Sequence, residues 1–447
     1  MQKIIDCHVH RLDDSQVDWA RELGYYKICL MDWRPKVLAE RFARHPDFVI
    51  PLGWVPTDRG IDAALAAVEE FRRMGCRGFK ICCAGAPYDD EQFYPIWEKA
   101  QEYRMPCYFH TGWLDQRIAT EVYPTARRLL VHWYDVMTLD RIALDFPRLN
   151  LVAFHMGNTR PADCAVLMRN HKNVYADTCT RLDEFTWASI GGRENGYPVL
   201  GKTVVGTDGM GTRERHRSAM ERLGKFLELA GASEALRQRV YYKTALRILG
   251  MDEELKKTFV ARKVKPAVLD PAKALSGALK LKPMTDFVDR RGEPAGAGTK
   301  AWLGYDAQSL HMTFACRDRH AKKLAVTRDG PVGDIWQDDC IEIFLSPTRD
   351  EDYYHIAVNS IGRAFIQRRR GEVSEFRGEV KTKTGPDGWA VGMAIPFSLL
   401  GGAPASGSKW GLNVCRNKTT PPRGVVTWME IASTFHDPAA FGYLAFE

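Results

Sequence analysis

The chain has 447 residues, a formal net charge of +7, 45% hydrophobic residues and 27% charged residues. These fractions are typical of folded proteins, and they exclude a disordered chain, a collagen-like repeat and a small disulfide-stapled scaffold. At about 100–200 residues per domain, the length predicts two domains.

The chain begins with Met1, Gln2 and Lys3 and enters an apolar run directly, without a signal-peptide pattern. No window reaches the roughly 18–20 uninterrupted apolar residues that a membrane span needs. The eleven cysteines are odd in number and lie mostly inside apolar runs, which is typical of reduced thiols. Neither half of the chain carries the dense basic stripe of a nucleic-acid binder. We therefore expect a cytoplasmic homo-oligomer that binds neither membranes nor nucleic acid.

The first 210 residues contain eight apolar runs bounded by turn residues, separated by segments with helical spacing of apolar positions. The predicted strands are Lys3–His8, Tyr25–Met31, Phe48–Val55, Arg77–Cys83, Pro106–Gly112, Asn150–Met156, Asn173–Cys179 and Thr203–Gly209. Buried parallel strands read as continuous apolar runs, and eight such units in about 250 residues predict a (β/α)₈ TIM barrel of the α/β class. A doubly wound open sheet is the competing layout.

A long connection, Trp113–Phe146, follows the fifth predicted strand and is expected to cover the active face of the barrel. The last helices of the barrel are predicted at Glu214–Leu229 and Glu234–Leu249. We therefore place the first domain at residues 1–258.

Beyond Lys256 the pattern changes, and a segment rich in Lys, Pro and Ala predicts a linker over residues 259–284. Short alternating runs separated by turn clusters follow, and they predict an all-β antiparallel sandwich over residues 285–447. The predicted strands are Leu310–Cys316, Cys340–Leu345, Tyr354–Val358, Ala364–Arg368, Trp389–Ile395, Gly411–Cys415 and Thr427–Ile431.

Histidines and one aspartate stand at the ends of several predicted barrel strands. His8 and His10 end the first strand, and side chains two residues apart on a strand share a face, so both can bind one metal ion. His110 ends the fifth strand, His155 the sixth and Asp208 the eighth. All of them lie at the carboxyl ends of strands, where barrels carry out their chemistry.

These motifs resemble the amidohydrolase superfamily of metal-dependent hydrolases, in the branch that also holds decarboxylases. The motifs are His-x-His on strand one, His-Thr-Gly on strand five, His-Met-Gly on strand six and Gly-Thr-Asp on strand eight. The resemblance covers residues 1 to about 255. It implies that His8, His10 and Asp208 bind one divalent ion, zinc or alternatively manganese, and that His110 is a further ligand or lies close to it. It also implies that His155 contacts the reacting water or the substrate.

A divalent ion lowers the pKa of bound water to about 7 and polarises an adjacent carbonyl. Asp208 would then accept the proton of that water and pass it to the leaving group, while His155 would stabilise the developing oxyanion. Lys80 lies inside the apolar run of strand four and is expected to face the barrel mouth. Three roles stay open for Lys80: a cationic contact for a substrate carbonyl or carboxylate, a carbamylated bridge between two ions, or a salt bridge with Asp6.

Several arginines and tryptophans follow the barrel strands. The guanidinium groups suit carboxylates, so they favour an anionic substrate, and Trp113 could stack on a ring. As single residues, however, the arginines could equally be structural or solvated, and the tryptophans could pack at the barrel rim. The candidate substrate contacts are Arg11, Arg160, Arg181, Arg213, Trp33, Trp54 and Trp113.

The C-terminal half resembles family 9 carbohydrate-binding modules. The resemblance rests on the segment Asp334–Leu345, on Trp410–Asn413 and on Phe435–Pro438. In the binding members two tryptophans sandwich a terminal sugar. Trp336 matches the first, but Phe435 stands at the second position and offers a smaller stacking surface, while Glu342 matches a polar contact. Sugar binding and a structural or subunit-contact role therefore both stay open.

Together these features predict a metal-dependent hydrolase of an amide, ester or lactone bond in a small organic acid or sugar derivative. The alternative is a metal-dependent, non-oxidative decarboxylase of an aromatic or unsaturated acid, which the same ligand set supports in relatives. A third reading is a carbohydrate-binding protein whose barrel is catalytically silent.

Overall fold

The computed structural model describes residues 3–113, 130–158, 160–179, 199–209, 211–265, 269–290, 292–327, 329–369, 371–431 and 434–447. The chain divides into two compact units, Met1–Glu254 and Leu255–Glu447. None of the described helices has both the length and the apolar character needed to cross a membrane.

The first unit contains an eight-stranded parallel sheet in which every strand pairs with the next one along the chain. The strands are β1 (Ile4–Val9), β2 (Tyr25–Asp32), β3 (Val49–Val55), β4 (Phe79–Ile81), β5 (Cys107–His110), β6 (Leu151–Phe154), β7 (Val174–Asp177) and β8 (Thr203–Val204). A bridge between Asp6 and Val205 joins the first strand to the end of the last, with Cys7 N donating to Val205 O over 2.8 Å. The predicted TIM barrel is thereby confirmed.

Helices alternate with these strands and cover the sheet. They are α1 (Asp14–Glu22), α2 (Pro35–Arg44), α3 (Ile61–Arg73), α4 (Tyr94–Glu102), α5 (Thr138–Asp145), α6 (Pro161–Asn170), α7 (Arg213–Leu229), α8 (Glu234–Gln238) and α9 (Thr244–Ile248). A π-helical turn, Arg239–Lys243, joins α8 to α9, so the last predicted helix is continuous but not regular. Val68 and Phe71 of α3 and Trp97 of α4 are buried against the sheet, as their helical spacing predicts.

Five strands, β4 to β8, end two or more residues earlier than predicted. The fourth strand stops at Ile81, and Cys83 takes a φ of +57°. The sixth strand stops at Phe154, and His155 takes a φ of +65°. A positive φ is incompatible with an extended strand, so the chain leaves the sheet at both places and presents the following side chains at its edge.

The second unit is a curled β-sandwich. Its strands are β9 (Thr258–Lys263), β10 (Val288–Asp289), β11 (Thr299–Tyr305), β12 (Ser309–Arg317), β13 (Cys340–Ser346), β14 (Tyr354–Asn359), β15 (Ala364–Arg368), β16 (Val373–Glu375), β17 (Glu379–Gly385), β18 (Gly388–Pro396), β19 (Lys409–Lys418), β20 (Gly424–Thr427) and β21 (Gly442–Phe446). Two antiparallel layers, one around β13 and β19 and one around β12 and β18, enclose a core that includes Trp389 and Trp410.

The segment predicted as a linker is built into this sandwich. Strand β9 pairs in parallel with β21 on one side and with β11 on the other, so it joins the two layers. Helix α10 (Pro271–Ser276) packs on β12, β17 and β18. The scattered Lys and Pro residues concealed these elements, because the side chains of β9 are mostly exposed apart from buried Ala261 and so show no clear alternation.

One predicted strand lies in the wrong place. The strand expected at Thr427–Ile431 is β20, which ends at Thr427 instead. Trp428, Met429 and Ile431 are nevertheless buried, and they fill the core from an irregular segment. An apolar run in the sequence indicates burial, but burial alone does not distinguish a strand from a packed loop.

Candidate metal centre and active-site cavity

Three donor atoms meet at the carboxyl end of the barrel. His8 Nε2 lies 3.2 Å from His10 Nε2 and 3.2 Å from Asp208 Oδ1, and His10 Nε2 lies 3.4 Å from Asp208 Oδ1. A tetrahedral ion with ligands at about 2.1 Å would separate them by roughly 3.4 Å. The spacing of this triad therefore fits one divalent ion.

The hydrogen bonds of His8 favour the same conclusion. His8 Nδ1 lies 2.7 Å from Asp177 Oδ2, and the buried carboxylate accepts the Nδ1 proton. In the neutral imidazole, His8 Nε2 then carries a lone pair that faces the donor atoms of His10 and Asp208. Burial also lowers the pKa of His8 well below its usual value, which favours this neutral form. Two nitrogens and a carboxylate oxygen this close together form a group that can hold a cation.

Asp177 is a residue that the sequence reasoning missed. Its second oxygen, Oδ1, accepts the backbone N–H of His155 over 2.7 Å, so one carboxylate positions two histidines. A Cβ on Gly206 would lie 2.4 Å from Asp177 Oδ2, so only glycine leaves room for this carboxylate. The signal was present, because Asp177 is a charged residue at the end of a buried apolar run, just as Lys80 is a charged residue inside one.

His155 and His110 form a second imidazole pair beside the triad. His155 Nε2 lies 3.2 Å from His110 Nδ1, while His155 Nδ1 donates to Cys179 O over 3.1 Å and His110 Nε2 donates to Trp113 O over 3.1 Å. The two facing nitrogens are therefore both lone pairs when the rings are neutral. Burial favours neutral rings, since it lowers the pKa of His155 to about 4 and that of His110 well below its usual value. His110 thus stands beside the triad and faces His155.

Asp6 fixes the ends of the first and last strands relative to each other. Its carboxylate accepts the backbone N–H groups of His8 and Thr207 over 3.0 and 3.2 Å, and the Thr207 hydroxyl over 2.6 Å. Burial raises the pKa of Asp6 to about 7 despite these donors. Asp6 is engaged in this way, and Lys80 Nζ has no hydrogen-bond partner among the described residues, so of the three roles left open for Lys80 the salt bridge with Asp6 is not formed there.

Lys80 is buried at the floor of the cavity, with 1% of its surface exposed. Its Nζ lies 4.2 Å from the ring centroid of Phe154 and has no hydrogen-bond partner among the described residues. Burial lowers the pKa of Lys80, because the ammonium loses its hydration. A buried donor without a partner is costly, and a ligand oxygen would satisfy it.

A cavity of about 780 Å³ opens above these residues. Its wall includes His10, His110, His155, Asp208 and Lys80, together with the three predicted ring-stacking candidates Trp33, Trp54 and Trp113. The residues predicted from five separate strand ends therefore face one space.

The predicted arginines divide into two groups. Arg11 lines the cavity. Arg160 pairs with Asp135 and Asp163, and Arg213 donates to Glu22 over 2.7 Å; neither lines the cavity. Arg181 lies outside the described residues.

Helix α7 supplies two arginines that the sequence reasoning did not single out. Arg215 and Arg222 line the cavity together with Ser218, since residues at i, i+3 and i+7 share one helix face. Arg34 also lines the cavity, but it is bonded to Asp32 through two nitrogens over 3.0 and 2.8 Å. The mouth of the cavity is therefore rich in cationic groups.

The pKa of Asp208 is held below its usual range. Burial would raise it, but the neighbouring imidazoles of His8, His10 and His155 outweigh that effect. Asp208 is consequently a carboxylate at neutral pH, which suits both a metal ligand and a proton acceptor.

In the second unit the predicted sugar contacts occupy different environments. The Trp336 side chain is half exposed, whereas Phe435 packs against Phe344 with ring centroids 6.2 Å apart. Glu342 is buried and bonded to His355 over 2.8 Å, so its Oε2 already has a partner. Asn413 is fully buried, and its side-chain oxygen accepts the backbone N–H of Met429, which gives it a structural role.

Comparison with known families agrees with both resemblances. Residues 35–251 match the amidohydrolase family, and residues 278–447 match the family described as carbohydrate family 9 binding domain-like. The chain therefore carries an amidohydrolase-superfamily domain, the barrel fold of an enzyme class that generally uses a divalent metal, followed by a family 9 binding domain-like sandwich. His8 and His10 precede the matched segment, whereas His110, His155 and Asp208 fall inside it.

Solved structures similar to this chain include representatives of both families. A 2,6-dihydroxybenzoate decarboxylase from Rhizobium is 16% identical, covering 56% of this chain and 100% of its own, with a TM-score of 0.43. A dihydroxybenzoic acid decarboxylase from Polaromonas sp. JS666, with bound manganese and 2-nitroresorcinol, is 15% identical over 56% of this chain and 98% of its own, with a TM-score of 0.42. A family 9 module from Caldicellulosiruptor kristjanssonii in complex with glucose is 20% identical over 43% and 96%, with a TM-score of 0.33. No functionally curated protein matches this chain.

Proposed function

We propose that the chain is a metal-dependent hydrolase of an amide, ester or lactone bond in a small organic acid or sugar derivative. The observation that carries this proposal is the triad of His8, His10 and Asp208, whose donor atoms lie 3.2–3.4 Å apart at the floor of the cavity. A divalent ion held there, zinc in our proposal, supplies a Lewis acid that acidifies water and polarises a carbonyl. The motifs imply that His110 is a further ligand or lies close to the ion, and its position beside the triad, with Nδ1 facing His155, favours the second.

Asp208 is proposed as the general base. Its carboxylate is ionised at neutral pH and faces the cavity, so it can accept a proton from the attacking water and return it to the leaving group. Because the carboxylate holds no proton at neutral pH, it must take one from water before it can donate one. This order of steps favours hydrolysis over direct protonation of carbon.

The donor to the substrate oxygen is assigned to Lys80. His155 was expected to stabilise the oxyanion, but its Nδ1 proton is engaged by Cys179 O, so its Nε2 can only accept in the neutral ring. Lys80 Nζ is buried in the cavity wall without a hydrogen-bond partner among the described residues, and it can donate to a carbonyl or carboxylate oxygen. His155 then serves to position water.

The substrate is proposed to be an acid. Arg11, Arg215 and Arg222 line the cavity mouth, and guanidinium groups pair well with carboxylates. Arg215 and Arg222 are about 10 Å apart along the helix axis at 1.5 Å per residue, so they can contact different parts of one anionic substrate.

The test uses metal-stripped protein reloaded with zinc or manganese and a panel of lactones, esters and amides, each acid paired with its neutral analogue. Turnover that requires the metal, favours the acids and is lost in Asp208→Asn supports the proposal. Asp47→Asn, which alters an exposed carboxylate paired with Arg21, is the matched control. Equal turnover of neutral and acidic substrates would overturn the proposal that the substrate is an acid. Unchanged turnover in Asp208→Asn with metal bound would overturn the role of Asp208 as general base.

Decarboxylation of an aromatic acid is the second candidate. The observation that favours it is the combination of Trp33, Trp54 and Trp113 with the Lys80 ammonium in one cavity, which suits a ring bearing a carboxylate. Release of carbon dioxide from aromatic acids, detected as bicarbonate, without hydrolysis of any ester or lactone would select this reaction. A protein that binds no metal after reloading would instead favour the silent-barrel reading.

Carbohydrate binding is proposed for the second unit. The family 9 match and the exposed Trp336 support it. Glu342, the predicted polar contact for a sugar, is buried and already hydrogen-bonded to His355. Calorimetric titration of the full chain with glucose, cellobiose and xylose tests it, with Trp336→Ala as the variant. Heat that disappears in the variant supports a sugar site, and no heat with any sugar removes it.

A further inference from the structure

Two adjacent cysteines follow the fourth barrel strand and bring their thiols together. Cys82 Sγ lies 3.4 Å from Cys83 Sγ. In an extended strand adjacent side chains point to opposite faces, but Cys83 takes a φ of +57° and turns its side chain toward that of Cys82. A residue other than glycine in this conformation costs roughly 1 kcal/mol, and such strain is concentrated at functional sites.

The pair is reached through the active-site cavity. Cys82 lines the cavity wall together with Lys80, and the two cysteines are otherwise buried, with 4% and 2% of their surfaces exposed. The hydrogen bond from Cys83 lowers the pKa of the Cys82 thiol, and the Lys80 ammonium acts in the same direction. The proposed hydrolytic mechanism uses neither thiol.

We propose that Cys82 and Cys83 form a two-thiol binding site for trivalent arsenic, which enters the cavity as neutral arsenous acid. Each thiol displaces one hydroxyl of As(OH)₃, so two As–S bonds form, two As–OH bonds break, two waters leave and arsenic keeps its third hydroxyl. No electron is transferred, and no oxidant is needed.

A second pair of thiols provides the internal control. Cys7 and Cys29 also share a hydrogen bond, but both are completely buried and neither lines the cavity. The proposal therefore predicts that arsenic binds the pair at the cavity and not the completely buried pair of the same chain.

The test incubates the zinc-loaded full chain with sodium arsenite, removes the excess by desalting and measures the intact mass under native conditions. We expect one arsenic per chain in the wild type, no arsenic in Cys82→Ser or Cys83→Ser, and one arsenic in Cys29→Ser. A wild type that binds no arsenic, or serine variants of the pair that still bind it, would overturn the proposal.

A second measurement covers the case in which a variant does not fold, as judged by circular dichroism. The desalted wild type is unfolded in iodoacetamide, digested and mapped. Protection of Cys82 and Cys83, reversed by dimercaptosuccinate, supports the site. Protection of Cys7 and Cys29 instead, or of no cysteine, overturns it.

Discussion

Asp177→Asn tests whether the buried carboxylate beneath the triad maintains the metal-binding form of His8. The carboxylate accepts two N–H groups, His8 Nδ1–H at one oxygen and the backbone N–H of His155 at the other, each over 2.7 Å. Asparagine has almost the same shape but only one oxygen. Whichever way its amide turns, an NH₂ group faces one of the two donors.

Either orientation has a cost, and the one that places the NH₂ group at His8 weakens metal binding directly. If the NH₂ group faces His8, the ring must move or change tautomer, and a proton on Nε2 blocks ligation. If it faces His155, a buried backbone donor stays unsatisfied at a cost of about 1–3 kcal/mol. Loss of an outer carboxylate of this kind typically weakens metal affinity 10- to 100-fold, which corresponds to about 1.4–2.7 kcal/mol.

The assay is competition for zinc between the stripped protein and a chromophoric chelator. We expect the Kd for zinc to rise about 10- to 100-fold in Asp177→Asn and to stay unchanged in Asp47→Asn, because Asp47 is an exposed partner of Arg21. A Kd in Asp177→Asn within about twofold of the wild-type value would refute the idea that this carboxylate orients a metal ligand.

Three further expectations concern buried charges. Lys80→Met should lower turnover about 100-fold, and unchanged turnover would contradict the role of Lys80. The same change should raise the free energy of unfolding by about 1–2 kcal/mol, because it removes a desolvated ammonium without a hydrogen-bond partner among the described residues. Lys202→Met should instead lower the free energy of unfolding by about 1–3 kcal/mol, because Lys202 Nζ donates to the backbone oxygens of Met168 and His171, and urea titration that shows no loss would contradict this. Burial raises the pKa of Asp6 from 3.8 to about 7, so the folded state keeps a proton that the unfolded chain releases. The free energy of unfolding of the metal-free protein should therefore fall by about 2–3 kcal/mol between pH 5 and pH 8, and a profile in Asp6→Asn that falls equally would contradict the assignment to Asp6.

The barrel could be predicted because its strands are buried on both faces and therefore read as apolar runs. The polar residue that interrupts or ends such a run then stands out, and His8, His155 and Asp208 were all found in this way. The exact ends of β4 and β6 could not be predicted, because they depend on the positive φ angles of Cys83 and His155. Those angles are set by tertiary contacts, which cannot be inferred from the local pattern of apolar and polar residues.

The choice of arginines shows a second limit. Arg213 and Arg215 are two residues apart, so they point to nearly opposite sides of a helix that turns about 100° per residue. Arg215 lines the cavity, whereas Arg213 pairs with Glu22. To predict which of the two arginines faces the cavity, the start of the helix must be known to within one residue. Sequence patterns leave helix boundaries uncertain by more than that.

The strand Thr258–Lys263 has a consequence for the order in which the second unit can form. It is the first strand of that unit, yet it pairs in parallel with the last one, Gly442–Phe446. During synthesis the ribosome releases the first strand long before the last. The edge of the first strand that pairs with the last therefore stays unpaired until nearly all of this unit has been synthesised. The exposed, charged side chains of Thr258–Lys263, among them Arg262 and Lys263, would keep that waiting edge from pairing with other chains.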